Sequence, residues 1–95
     1  MNISVSIRRL INQPDNNLKA IASITLDDKF VIRFVKLFKK VDSDGFWIGC
    51  PGYKGKHGRG FINTSHPITS EFREEIDDAV INAYYEAIRG LEELV

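Results

Sequence analysis

The chain has 95 residues, 43% apolar and 27% charged, which fits one ordinary globular domain (residues 1–95) with a modest core and excludes a disordered or fibrous chain. Cys50 is its single cysteine, so no intrachain disulfide can form. No apolar run reaches the roughly 20 residues of a membrane helix, and no charged start precedes an apolar leader, so a cytoplasmic protein with no membrane partner is expected.

The formal net charge of zero hides an asymmetry: residues 1–60 hold 11 Lys and Arg against 5 Asp and Glu, and residues 61–95 hold 2 against 8. A block of positive charge suggests a polyanion partner. An acidic helix lying on a basic sheet would compensate it equally well.

In chain order, Ile3, Val5 and Ile7 alternate with Ser4, Ser6 and Arg8, the period of a half-buried strand. Asn12 to Asn17 reads as a turn by composition. Leu18, Ala20, Ala22, Ile24 and Leu26 share one face of a second strand, whose small alanines allow close packing, with the later helix as the expected cover. Asp27-Asp28-Lys29 is a short turn, so strands two and three form an antiparallel hairpin. In the third strand, Phe30, Ile32, Phe34 and Phe38 line one face and Val31, Val35 and Leu37 the other. A strand apolar on both faces needs two covers. One helix supplies one, and a partner subunit is the simplest source of the second, which implies a homodimer; a long loop folding over is the alternative.

Asp42-Ser43-Asp44-Gly45 is a turn; a Ca²⁺ loop would need more spaced oxygens and a terminal Glu. Phe46, Ile48 and Cys50 form a fourth strand with Cys50 facing the core, and Pro51 stops it. The stretch Gly49 to Ile68 then holds five of the seven glycines, with Lys54, Lys56, His57 and Arg59 among them. It reads as a mobile basic loop, with Phe61-Ile62-Asn63 as a possible short return strand. Thr69 or Ser70 caps a helix whose apolar stripe runs through Phe72, Ile76, Ala79, Val80, Ala83, Tyr84, Ala87 and Ile88. Arg89 complements its C-terminal end, and Gly90 is its expected stop. The fold class is therefore α+β: an antiparallel sheet of four to five strands with a C-terminal helix packed on one face.

Catalysis is not expected. Cys50, His57 and His66 could be arranged as nucleophile and base, but so could many unrelated triples, and a core-facing cysteine is usually inert. One Cys and two His without a close pair make a poor zinc set, so no enzyme, metal, cofactor or small-molecule substrate is anticipated. Gly55-Lys56 fails the phosphate-binding P-loop pattern twice. Gly52-Tyr53-Lys54-Gly55 and Gly55-Lys56-His57-Gly58 match the G-x-x-G of KH domains, but a strand precedes them where a helix is required. Close backbone approach beside lysines remains, and it suits phosphate. Tyr53 and His57 add flat rings that could stack on bases, although Tyr53 also fits packing at the loop base. His66 before Pro67 is expected to bond the backbone and fix the helix entry.

Ala20 to Asp27, Phe30-Val31, Phe46 to Pro51, His66-Pro67-Ile68 and Ile76-x-x-Ala79-Val80-x-Asn82-x-Tyr84 together resemble the stage V sporulation protein G family, the bacterial septation regulators. The resemblance runs from about Ile7 to Tyr84. It implies a small dimeric α+β regulator that binds DNA and RNA and acts on transcription or transcripts in cell division, development or virulence. It also implies nucleic-acid contact by the basic segment after the fourth strand, here Tyr53 to Arg59, with the helix modulating specificity. This chain departs there from the family's serine and adjacent basic residues, placing Gly52-Tyr53 after the proline and separating the basic residues with glycines. Lys54, Lys56 and Arg59, assisted by His57 and Tyr53, are the expected contacts. A protein-interaction module in cell division, with an incidental loop, is the rival reading.

Overall fold

The computed structural model describes residues 1–11, 17–58 and 60–93. Four strands form an antiparallel sheet in chain order: β1 (Ile3–Leu10), β2 (Leu18–Leu26), β3 (Phe30–Lys39) and β4 (Phe46–Gly49). β5 (Gly52–Lys54) and β6 (Phe61–Asn63) pair separately, and the helix α1 spans Ser70–Glu93. The expected α+β class, sheet and helix are all present. The turn expected at Asn12 to Asn17 falls almost wholly outside the described residues.

The β2–β3 turn is built by Asp27 and Asp28, both in the left-handed region at φ 52° and 56°. Lys29 N–H donates to the Leu26 carbonyl at 3.0 Å. Two positive φ values at the centre of a tight turn match the right-handed twist of the flanking strands. Asp27 also anchors the start of the chain: its Oδ1 accepts from Asn2 N–H at 2.7 Å.

The core lies between the sheet and α1. Ala20, Ala22, Ile24, Val35, Leu37, Ile48, Ile76 and Val80 are buried. Both alanines of β2 are buried and Ala20 belongs to the cluster with Ile76 and Val80 of α1, but the helix backbone comes closest to β1 and β4. Burying each large aliphatic side chain contributes about 1.5–3 kcal/mol. Ile81, outside the expected stripe, also packs against this core beside Phe72 and Tyr84.

β3 departs from simple alternation. Ala22 pairs with Val35 but Ile24 with Ile32, so one extra residue sits in β3 between them. Phe34 occupies the bulge with φ at 62°. The bulge resets the phase, so Ile32, Val35 and Leu37 share the core, whereas Phe34 is 68% exposed. The expected division, with Ile32 and Phe34 on one face and Val35 and Leu37 on the other, is therefore corrected. A second bulge at Arg8 shifts β1, so that Arg9 pairs with Ile21.

At the helix start, Thr69 is the cap: its Oγ1 accepts from Phe72 N–H at 3.2 Å. The helix does not stop at Gly90 but runs through it to Glu93, which leaves Arg89 before the last turn. No helix among the described residues is long and apolar enough to cross a membrane.

Candidate nucleic-acid interface

The segment expected to be a mobile loop is a β-hairpin. Gly52 pairs with Asn63, Tyr53 with Ile62 and Lys54 with Phe61. Pro51 closes its base, because its carbonyl accepts from both Thr64 N–H at 2.8 Å and Thr64 Oγ1 at 3.1 Å. At the other end Gly55 N–H donates to the Gly60 carbonyl at 2.5 Å. The tip turns through His57, Gly58 and Gly60, at φ 57°, 77° and 75°. Gly52 is required for a different reason. A Cβ there would collide with the Ile62 carbonyl and the Phe61 ring.

Opposed residues of an antiparallel pair share a face. Lys54 and Phe61 therefore stand on one side of the hairpin, and Tyr53 and Ile62 on the other. Tyr53 is 55% exposed rather than packed at the base. Lys54, Lys56 and His57 are exposed. Arg59 lies outside the described residues. The structure thus separates Tyr53 from Lys54 and carries Lys56 and His57 to the tip.

The Phe61 face looks across a cavity of about 290 Å³ toward the outer side of the main sheet. Its far wall is a cross-strand pair: the Phe38 and Trp47 rings stack with centroids 4.1 Å apart and planes 13° from parallel. Gly49 leaves the floor open beneath Phe38, whose ring lies 3.0 Å from where a Cβ would be. Lys36, the register partner of Gly49, lines the cavity together with Arg73 from α1. Sequence reasoning did not bring these residues together, because Phe38–Trp47 depends on the β3–β4 register and Arg73 on the helix orientation. The one local signal was an aromatic, Phe61, directly after the glycine-basic stretch.

Arg73 is held in place. Its Nη2 donates to the Ile48 carbonyl at 3.0 Å, and its Nε lies 3.7 Å from Asp77 Oδ1, an ion pair too long for a hydrogen bond. Burial pushes the Asp77 carboxyl above its ordinary value, with Arg73 pulling the other way. Burial likewise raises the Cys50 thiol, again opposed by Arg73. Cys50 follows β4 instead of ending it, and it is partly buried beside the cavity rather than in the core. His66 Nδ1–H donates to the Pro67 carbonyl at 3.0 Å, the backbone bond expected at the helix entry.

The charge of the sheet is one-sided. β1 to β4 contain Arg8, Arg9, Lys19, Arg33, Lys36 and Lys39 and no Asp or Glu. Carboxylates of this half sit in turns, at Asp27, Asp28, Asp42 and Asp44. Of the sheet's cations, Lys36 lies beside the Phe38 and Trp47 rings, and cations next to flat rings are the combination that meets phosphates and bases.

A family model described as SpoVG matches residues 1–86. A relative from Treponema denticola, provisionally named septation protein SpoVG, is 46% identical over 71 residues, 75% of this chain and 73% of its own. One of the same name from Finegoldia magna is 43% identical over 72 residues, 76% of this chain and 64% of its own. A third, from Clostridioides difficile, is 36% identical over 84 residues, 88% of this chain and 86% of its own.

Proposed function

The chain belongs to the SpoVG family, and on that premise we propose that it is a dimeric bacterial regulator. It binds DNA or RNA through the β5–β6 hairpin and controls gene expression linked to septation or development, acting in the cytoplasm without enzymatic activity. The observation that carries this reading is the hairpin itself. It is a two-stranded arm whose Lys54, Lys56 and His57 stand in solvent. Glycines at the tip let a backbone approach closely. Arg59, within the same segment, adds a third fixed charge.

A salt titration tests it. Neutralising each phosphate releases counterions, so log K falls with log salt by about 0.9 per contact on duplex DNA and about 0.7 on single strands. Two protomers offering Lys54, Lys56 and Arg59 set an upper slope of about 5 on duplex. Replacing the three by Ala should flatten the slope and weaken binding, with little change in thermal stability, because solvated charges contribute little to folding. Unchanged affinity and slope in the triple variant would remove the hairpin from the site and favour the protein-interaction reading.

A further inference from the structure

The cavity beside the hairpin has two aromatic walls. On one side stands Phe61, 57% exposed; on the other the Phe38–Trp47 stack, with Trp47 47% exposed. Cations frame it: Lys36 and Arg73 line it, and Lys54 shares the hairpin face that bears Phe61. Among the described residues no carboxylate lines it. Gly49 and Gly52 are both positions where an aromatic ring occupies the space a side chain would need, so the backbone itself keeps the cavity shaped.

A double helix cannot use such a cavity, since its bases are paired and stacked inside. A single strand can, because its bases are free to turn out and stack on an aromatic face while lysines hold the adjoining phosphates. We infer that this cavity seats one unpaired base between Phe61 and Trp47, with Lys36 and Lys54 on the flanking phosphates, so that the protein prefers single-stranded over duplex nucleic acid. The inference rests on the nucleic-acid reading above and specifies its substrate class. A second copy of this chain is the less suitable occupant. It would bring the same cations into an interface already crowded with positive charge.

Trp47 is the only tryptophan in the chain, so its fluorescence reports on the cavity alone. Adding a short oligothymidylate should quench it saturably, and a duplex of the same length should not. Phe61→Ala should weaken binding of the single strand by about tenfold, in the range of one lost base–aromatic stack, and weaken duplex binding by clearly less. Because Phe61 also packs in the hairpin, Phe61→Leu is the companion variant: it keeps apolar bulk and removes the flat face, and it should lose single-strand affinity too. Equal quenching by duplex, or single-strand affinity unaltered in Phe61→Leu, overturns the cavity as a base seat while leaving the regulator reading standing. If neither nucleic acid binds at all, both readings are overturned.

Discussion

Gly52 shows how one residue sets the geometry of the site. Its φ is not in the left-handed region, so conformational freedom is not what glycine supplies there. What it supplies is absence: the Phe61 ring and the Ile62 carbonyl lie where a Cβ would be. The obstruction includes backbone, which cannot swing aside as a flexible side chain could. Gly52→Ala should therefore open the β5–β6 ladder at a local cost of about 1–3 kcal/mol, as overpacking does elsewhere. Hydrogen exchange would show faster amides in β5 and β6 and unchanged protection in β1 to β4. Protection retained in the hairpin would mean that the ring and carbonyl are not where the structure puts them. The glycine was visible in the sequence, but its reason was not. Composition marked the stretch as glycine-rich, and only the register Tyr53 to Ile62 brings Phe61 over Gly52.

Elements were legible where local periodicity agrees with packing. Leu18 to Leu26 alternates cleanly, and Ala20, Ala22 and Ile24 are buried as that alternation requires. β3 was harder, because a bulge is not a composition signal. Phe at position 34 carries no hint of positive φ, and the resulting phase change moved Ile32 into the core with Val35. The hairpin was half legible: Phe61 to Asn63 reads as a strand, but its partner Gly52 to Lys54 is short and begins with glycine. Helix α1 was legible at its start and misread at its end. Gly90 is a common stop, yet here the backbone continues in helical conformation to Glu93. A helical glycine costs about 1 kcal/mol relative to alanine. A Cβ at Gly90 meets nothing within 4 Å. Gly90→Ala should stabilise the protein by about that amount and raise Tm by roughly 5 °C, read by calorimetry. A drop in Tm would indicate that Gly90 is needed for a different helix end.

At the scale of the molecule, the two faces of the sheet are unequal. α1 covers one. The other carries Lys36, Phe38 and Trp47 beside the hairpin cavity, and toward the β2–β3 turn it bears Val31 and Phe34, 47% and 68% exposed. Ser6, Ser23 and Thr25 surround them, with Arg8 and Arg33 in the same shallow concavity. The two surfaces are distinct, so the proposed dimer at the Val31–Phe34 corner and the nucleic-acid site at the hairpin can coexist. Phe34 permits an unusually clean test. It is held at φ 62°, a conformation that disfavours a bulky side chain and suits glycine. Phe34→Gly removes the ring and relieves the backbone, so the fold of each protomer should survive. Light scattering at micromolar concentration should give twice the 10.8 kDa chain mass for the parent protein, and the single mass for Phe34→Gly. Circular dichroism should be the same for both. If the parent itself is monomeric, the dimer is lost and the exposed Val31–Phe34 corner becomes available to a different protein. If Phe34→Gly remains dimeric, the two copies meet elsewhere, and the open edges of β1 and β4 are the next surfaces to vary.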